Sequence, residues 1–358
     1  MSRHFHPLVI KEVRNETTDC VSVRFEIPDD LQSLFKYTQG QSLTVRSVIE
    51  GQEVRRTYSL CSSPLDNEWR VAIKRVDGGL FSSFAHSRLK AGDILEVMQP
   101  VGRFNTPLDP ANRKHYVAFA AGSGITPVLS LIKTTLATEP FSRFTLVYGN
   151  RTRSSIIFFE ELEAIKNKYM DRFTLINILS REKTETPVST GRIDNNKLTE
   201  LSRLIPYTRI DEYFVCGPEE MIFTVRDFLE QQGIASRHIH FELFTTPGQQ
   251  IKKVSTAQVT DTQAVSEVAV QVDGRTIQFN MPLTGDVSVL DAALAQGADL
   301  PYACKGGVCC TCKARIVEGA VSMDVHWGLE PEEIEQGYIL TCQSHPTTDK
   351  LVVDFDSK

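Results

Sequence analysis

Four cysteines constrain this chain more than any other feature. Cys304, Cys309 and Cys312 are separated by four and then two residues inside PYACKGGVCCTCKARI, and Cys342 follows after another 29. One tight loop must therefore supply three sulfurs and a distant segment the fourth. A 2Fe-2S cluster needs this arrangement, because each of its two irons takes two thiolates. Gly306 and Gly307 let the loop backbone come close and aim N–H groups at sulfur. Zinc is the competing reading, but structural zinc typically uses two Cys-x2-Cys pairs, and the chain has one. Cys310 lies between ligands, outside the spacing, and is expected to be a non-ligand thiol without a role. Cys20, Cys61 and Cys216 are scattered and read as ordinary small residues. Thiolates bunched in this way fit a reducing compartment, hence a cytoplasmic location.

At 358 residues the chain exceeds what one core usually serves, and the pattern changes twice along it. Residues 1–110 carry short alternating segments at 8–13, 20–27, 42–48, 54–61, 69–76 and 94–98, with one helix at 80–89. Closely spaced strands of this kind predict an antiparallel β-barrel or sandwich. Residues 111–246 alternate buried strands (115–120, 144–148, 173–179, 213–216, 239–244) with helices (127–136, 158–169, 196–204, 219–232). That alternation predicts an α/β module, a parallel sheet covered on both faces. Residues 247–262 read as a linker, and 263–358 as a third module. The third module opens with strands at 268–272 and 276–280. A helix at 289–296 follows, capped by Ser288 with Asp291 three residues on and stopped by Gly297.

Charge separates the third module from the rest. The chain carries a net −6, yet from Gln263 onward there are 14 acidic against 6 basic residues. An acidic unit of this kind is a solvated surface or a docking face for a basic partner, and it excludes nucleic acid as ligand. No apolar run approaches the ~18 residues a membrane span requires, and Met1 to Pro7 lack the core of a signal peptide.

Two further constellations carry chemistry. Arg56, Thr57, Tyr58 and Ser59 close a barrel strand. The arginine suits a phosphate, the phenol ring a planar heterocycle and the hydroxyl a reactive ring nitrogen. Gly78 and Gly79 then precede a helix whose amides, with the Ser82 hydroxyl, suit a pyrophosphate. Together they favour a flavin, with FAD and FMN both open on physical grounds. In the second module Ala121-Gly122-Ser123-Gly124-Ile125-Thr126-Pro127 follows a strand and opens a helix, with Thr126 expected as N-cap and Pro127 at the first helical position. Glycines there admit a dinucleotide pyrophosphate to the helix N-terminus.

RxYS followed by GG and a serine resembles the ferredoxin-NADP reductase superfamily. The likeness runs through AAGSGITP, LVYGNRT, DLPYACKGGVC and VVDFD to the end of the chain, where the cysteine spacing is similar to that of plant-type ferredoxins. The resemblance implies a β-grasp (α+β) ferredoxin module, FAD, and NADPH in preference to NADH. It puts Tyr58 against the flavin ring and Ser59 near the ring nitrogen that accepts hydride; Thr126 is expected to join them as a catalytic residue. The resemblance puts Cys216, Gly217 and Pro218 near the nicotinamide. From their place closing the last strand, Glu242 and Phe244 are read as flanking the ring system, with an ordinary core place for the aromatic as the open alternative. Arg151, Arg181 and Arg192 resemble positions that hold the 2′-phosphate of NADPH, which wants a guanidinium fork. Hydride delivers two electrons and a 2Fe-2S cluster takes one, so the flavin is expected to convert between them. Within the superfamily the likeness is to reductase components that serve the subunits of a multisubunit di-iron oxygenase. Other expectations stay open: a different di-iron or ring-hydroxylating oxygenase as acceptor, a redox-sensing flavo-iron-sulfur protein, or a stand-alone flavin or quinone reductase.

Overall fold

The computed structural model describes residues 4–184, 186–244, 265–283 and 285–357. The expected linker, 247–262, lies outside the described residues. The chain forms two units, Phe5–Leu243 and a second that begins at Phe244.

Alternating side chains in the first hundred residues demand a sheet with one face buried. Strands β1 (Phe5–Thr17), β2 (Cys20–Glu26), β3 (Ser42–Ile49), β4 (Gln52–Ser59), β5 (Trp69–Lys74) and β6 (Ile94–Met98) are arranged in the order β4-β3-β6-β1-β2-β5, with every neighbouring pair antiparallel. The two outer strands meet: Leu60 bridges Val71, and the Cys61 N–H donates to Arg70 O at 2.9 Å. Closure removes the unpaired edges, giving the expected barrel. It also explains why β4 stops at Ser59 rather than Cys61: Leu60 and Cys61 have crossed to β5. Leu8, Ile10, Val23, Leu43, Val71 and Val97 fill the interior, and α1 (Leu80–Arg88) adds Phe81 and Ala85. Each such buried side chain stabilises by roughly 1.5–3 kcal/mol.

The second half of this unit is a parallel sheet of β7 (His115–Ala121), β8 (Arg143–Asn150), β9 (Phe173–Leu179), β10 (Glu212–Cys216) and β11 (Ile239–Glu242), ordered β11-β10-β7-β8-β9. Helices α2 (Ile125–Thr138), α3 (Phe159–Lys168), α4 (Asn195–Leu201) and α5 (Glu219–Gln231) alternate with the strands. Strand order reverses between β7 and β10, and in such sheets the crevice at the carboxyl ends of the reversing strands is where ligands bind. Two expectations fail locally. The 239–244 strand ends at Glu242, the last residue with a partner on β10. Thr126 does not cap α2: Gly122–Gly124 makes a 3-10 turn that runs straight into the helix, so Gly124 takes the cap position and Thr126 lies inside.

The second unit is α+β. Strands β12 (Val265–Val272), β13 (Arg275–Pro282), β14 (Lys313–Glu318), β16 (Tyr338–Leu340) and β18 (Lys350–Asp354) form a mixed sheet ordered β13-β12-β18-β14-β16, in which only β12 and β18 run parallel. Strands β15 (Val321–Met323) and β17 (Ser344–Pro346) pair separately. Helix α6 (Val289–Ala295) buries Val289, Leu290 and Ala293 against Val268, Val270, Leu351 and Val353. As its sequence predicts, Ser288 Oγ accepts from the Asp291 N–H at 3.1 Å. A short helix, α7 (Pro331–Glu335), precedes β16.

Candidate functional site

The barrel end is organised around the last residues of β4. Arg56 is exposed, with Nη1 donating to Arg55 O at 2.8 Å. Thr57 Oγ1 shares a hydrogen bond with Thr44 Oγ1 at 3.2 Å. The Tyr58 ring lies 5.7 Å from that of Phe81, and burial pushes its phenol up, which keeps it neutral. Buried Ser59 donates from Oγ to Glu242 Oε2 at 2.8 Å across 183 residues of sequence. Glu242 keeps partial surface access, but protein encloses its carboxyl, and that burial raises it to about 7 against the lowering effect of the Ser59 hydrogen bond. Phe244 lies beyond β11 at the start of the second unit and is 41% exposed.

Gly78 takes φ +71, a turn only glycine makes cheaply, and a Cβ on Gly79 would stand 2.5 Å from Ser82 Oγ. The Ser82 hydroxyl is committed to this turn: it accepts from the Val76 N–H at 3.1 Å and donates to Gly79 O at 3.3 Å. An anion here would meet the first amides of α1, whose first turn carries no acidic residue.

At the switch point two loops meet backbone to backbone. A Cβ on Gly124 would lie 2.0 Å from Cys216 O, and one on Gly217 would lie 3.1 Å from Ala121 N. Only glycine fits at 124, and Gly217 is tightly packed, so AGSG after β7 and CGP after β10 form one surface. Cys216 is fully buried, which pushes its thiol well up, and Pro218 caps α5. The Thr126 hydroxyl, expected at the reaction centre, donates to Ser123 O at 3.0 Å and fixes the turn. Tyr148 donates from its hydroxyl to Gly122 O at 2.9 Å.

Lys74 escapes sequence reasoning. Its Nζ lies 3.7 Å from where a Cβ on Gly122 would stand and 3.6 Å from Asp19 Oδ2, so a barrel cation reaches the dinucleotide turn. The one available signal is a lysine ending the otherwise apolar core of β5.

The arginines are brought together only in their backbones. Arg181 N–H donates to Arg151 O at 2.8 Å, and Gly191 N–H, beside Arg192, donates to Leu179 O at 2.9 Å. All three side chains are exposed at the carboxyl edge of the sheet. A cavity of about 780 Å³ opens at the same edge, between Arg14 and Glu16 of the barrel and Arg153, Phe159 and Glu182. Arg153, equally unmarked in the sequence, is held there by its N–H to Glu182 Oε2 at 2.8 Å and by its guanidinium over Phe159 at 4.8 Å.

In the second unit all four expected ligands are unbridged thiols arranged as two hydrogen-bonded pairs, Cys304 with Cys309 and Cys312 with Cys342. Its neighbour Cys304 holds Cys309 below the ordinary thiol range, while Cys304 and Cys312 are pushed up. Gly306 N–H donates to Cys304 Sγ at 3.2 Å. Among the described residues no three His, Cys, Asp or Glu side chains gather about one metal point.

Known proteins share this arrangement. The FAD-binding domain of oxidoreductases matches residues 7–106, the oxidoreductase NAD-binding domain 119–227 and the 2Fe-2S iron-sulfur cluster binding domain 270–347. Over 355 residues, 99% of this chain and 98% of the relative, the sequence is 44% identical to one component of the 1,2-phenylacetyl-CoA epoxidase of Escherichia coli (strain K12). The chain belongs to this family of FAD and 2Fe-2S oxygenase reductases. Other members are more distant. The ferredoxin reductase component of 3-ketosteroid-9-alpha-monooxygenase from Rhodococcus rhodochrous is 36% identical over 97% of this chain and 96% of its own. The glycine betaine monooxygenase reductase of Pseudomonas aeruginosa (strain UCBPP-PA14) is 30% identical over 97% and 93%. The fold is that of phthalate dioxygenase reductase, with a TM-score of 0.59, 24% identity and 98% of each chain covered.

The reductase is thus an oxidoreductase with FAD, NAD(P)H and a 2Fe-2S cluster, and its residues fit each group. The thiol pairs suit the cluster, the abutting glycine loops admit a pyrophosphate, and Arg56, Tyr58 and Ser59 offer a cation, a ring and a hydroxyl at one strand end.

Proposed function

We propose that this reductase carries electrons from NADPH through FAD and the 2Fe-2S cluster to the di-iron oxygenase subunits of a phenylacetyl-CoA epoxidase, in the cytoplasm, as a step of phenylacetate breakdown. The observation that carries the reading is the 44% identity to the epoxidase component along the whole chain. It works in three modules, 1–110, 111–246 and 263–358. Among the described residues no helix is long and apolar enough to cross a membrane, and no disulfide joins any of the eight cysteines.

When bound, the cofactors supply hydride donation, conversion of an electron pair to single electrons, and one-electron transfer. The protein's part is positioning. Arg56 offers a fork to the flavin phosphate, Tyr58 packs against the ring, and the turn at Gly78 and Gly79 presents the α1 amides. Gly122, Gly124 and Gly217 let backbone approach the nicotinamide dinucleotide, with Thr126 fixing the turn, Cys216 and Pro218 alongside and Lys74 adding charge. Arg151, Arg181 and Arg192 supply the positive edge that favours a 2′-phosphate, hence NADPH over NADH. Ser59 Oγ and Glu242 Oε2 form a two-atom path for the proton left as electrons depart singly, and Phe244 follows two residues along the chain. Cys304, Cys309, Cys312 and Cys342 hold the cluster.

Combining the purified reductase with the oxygenase subunits, NADPH and phenylacetyl-CoA should couple NADPH oxidation to epoxide formation. Flavin that does not bleach within seconds of adding NADPH or NADH overturns the reductase reading. Rapid bleaching and cytochrome c reduction without epoxide overturn only the choice of acceptor. A different oxygenase is the second reading, supported by 36% identity to the 3-ketosteroid monooxygenase component.

A further inference from the structure

Cys310 lies among the expected ligands, yet its thiol is engaged elsewhere. Its backbone is left-handed, φ +55, a conformation unfavourable for a residue with a Cβ. Its Sγ donates to Gly328 O. The Gly328 N–H donates in turn to Gly307 O at 2.9 Å, so the two loops exchange bonds of both polarities. Contact is close: a Cβ on Gly328 would lie 2.6 Å from Cys310 Sγ and 3.1 Å from Val308 O, and one on Gly307 would lie 2.7 Å from Val325 Cγ2. At the near end of the same 324–329 loop, the Asp324 N–H donates to Gln343 O at 2.9 Å, beside Cys342. Gln343 then donates from Nε2 to Lys305 O at 2.9 Å, beside Cys304. The loop is therefore fastened next to Cys342 at one end and, through Gly307 and Cys310, to the ligand loop at the other.

We propose that Cys310 is a positioning residue that clamps the 324–329 loop over the cluster-binding backbone and so keeps water from the buried ligand sulfurs of Cys312 and Cys342, while Cys304 stays exposed. The proposal rests on Cys304, Cys309, Cys312 and Cys342 being the ligands. A reduced cluster carries one more negative charge than an oxidised one, and water stabilises that charge. A clamped loop thus holds the reduction potential down and slows loss of iron.

The test compares Cys310→Ala with Cys310→Ser in the full-length holoprotein. Cys310→Ala removes the S–H donor and should raise the cluster midpoint potential, shorten the cluster's half-life in EDTA several-fold and speed deuterium exchange at the Gly328 amide. Flavin reduction by NADPH, in the other unit, should keep the parent rate. Cys310→Ser restores a donor, so potential, half-life and protection should return toward the parent. The clamp is overturned if Cys310→Ala keeps the parent potential and half-life, or if Cys310→Ser is as impaired as Cys310→Ala. Failure of the ligand reading has a separate signature: an unchanged iron-sulfur spectrum in Cys342→Ser, with Cys310 intact.

Discussion

Ser59 Oγ donates to Glu242 Oε2 at 2.8 Å, joining the last residue of β4 to the last residue of β11. Burial holds that carboxyl at about 7, so at neutral pH it both takes and gives up a proton. Taking the proton at Oε2 requires the ionised form, which predominates above that value. NADPH-driven ferricyanide reduction should therefore fall on the acid side of about 7. Glu242→Gln should remove this break and lower the rate by about 10²-fold, the low end of general acid–base effects. A pH–rate profile of both proteins checks it, and an unchanged break in Glu242→Gln rules the carboxyl out.

The same shift affects stability, with a definite sign. Folding raises the carboxyl from its ordinary 4.5 to about 7, so between these values the folded state binds more proton than the unfolded chain. Stability from this group is full below 4.5 and is lost as pH rises through about 7. Glu242→Gln escapes the loss and should unfold at higher temperature than the parent at pH 8, by at most about 3 kcal/mol in equivalent stability. At pH 4 the advantage should vanish. Thermal melts at the two pH values decide it.

Ser59 was visible in the sequence because RxYS is contiguous, and Glu242 only as a strand-end residue that could flank a ring. Their bond was not, since nothing local links positions 183 apart. The four cysteines were legible because a two-iron cluster fixes their spacing. Lys74 was hidden because its role depends on how the barrel meets the β7 turn, a tertiary fact. Thr126 was misread as a cap for a local reason: glycines on both sides of Ser123 let the chain begin turning early. Cys310 lay outside every spacing rule, and only its contact with Gly328 gives it a place.

Gly124 should tolerate no side chain. Its Cβ would stand 2.0 Å from Cys216 O, a backbone atom that cannot swing aside. Gly124→Ala must therefore push the AGSG and CGP loops apart, costing on the order of 1–3 kcal/mol, as overpacking does. The Michaelis constant for NADPH should rise while the iron-sulfur spectrum stays intact. Kinetics beside a visible spectrum tests this, and parent-like kinetics would refute the abutting-loop picture.

Lys74 and Arg181 should separate the two ends of the nicotinamide dinucleotide. Lys74 lies by the Gly122 turn, where NADPH and NADH are alike, so Lys74→Met should raise the Michaelis constant for both. Arg181 sits at the outer edge, its N–H bonded to Arg151 O, and on the proposed reading it meets the phosphate that only NADPH carries. Arg181→Ala should cost NADPH about tenfold or more, the loss of one charge-assisted hydrogen bond, and leave NADH nearly unchanged. Equal effects of Arg181→Ala on both nucleotides would contradict its role.

Cys342 comes from the 3-10 turn Thr341–Gln343, far in sequence from the loop that carries the other three thiols, and pairs with Cys312 in the core of the second unit. A 2Fe-2S cluster held here would take all four thiolates as ligands, Cys342 among them. Cys342→Ser should therefore abolish the iron-sulfur absorption and the low-temperature EPR signal. Flavin, NADPH and the Ser59–Glu242 pair all depend on the unit Phe5–Leu243, so NADPH should still bleach the flavin at the parent rate. Cytochrome c reduction should fall to whatever the flavin delivers unaided. Loss of flavin bleaching together with the cluster would show that the two units do not hold their cofactors independently.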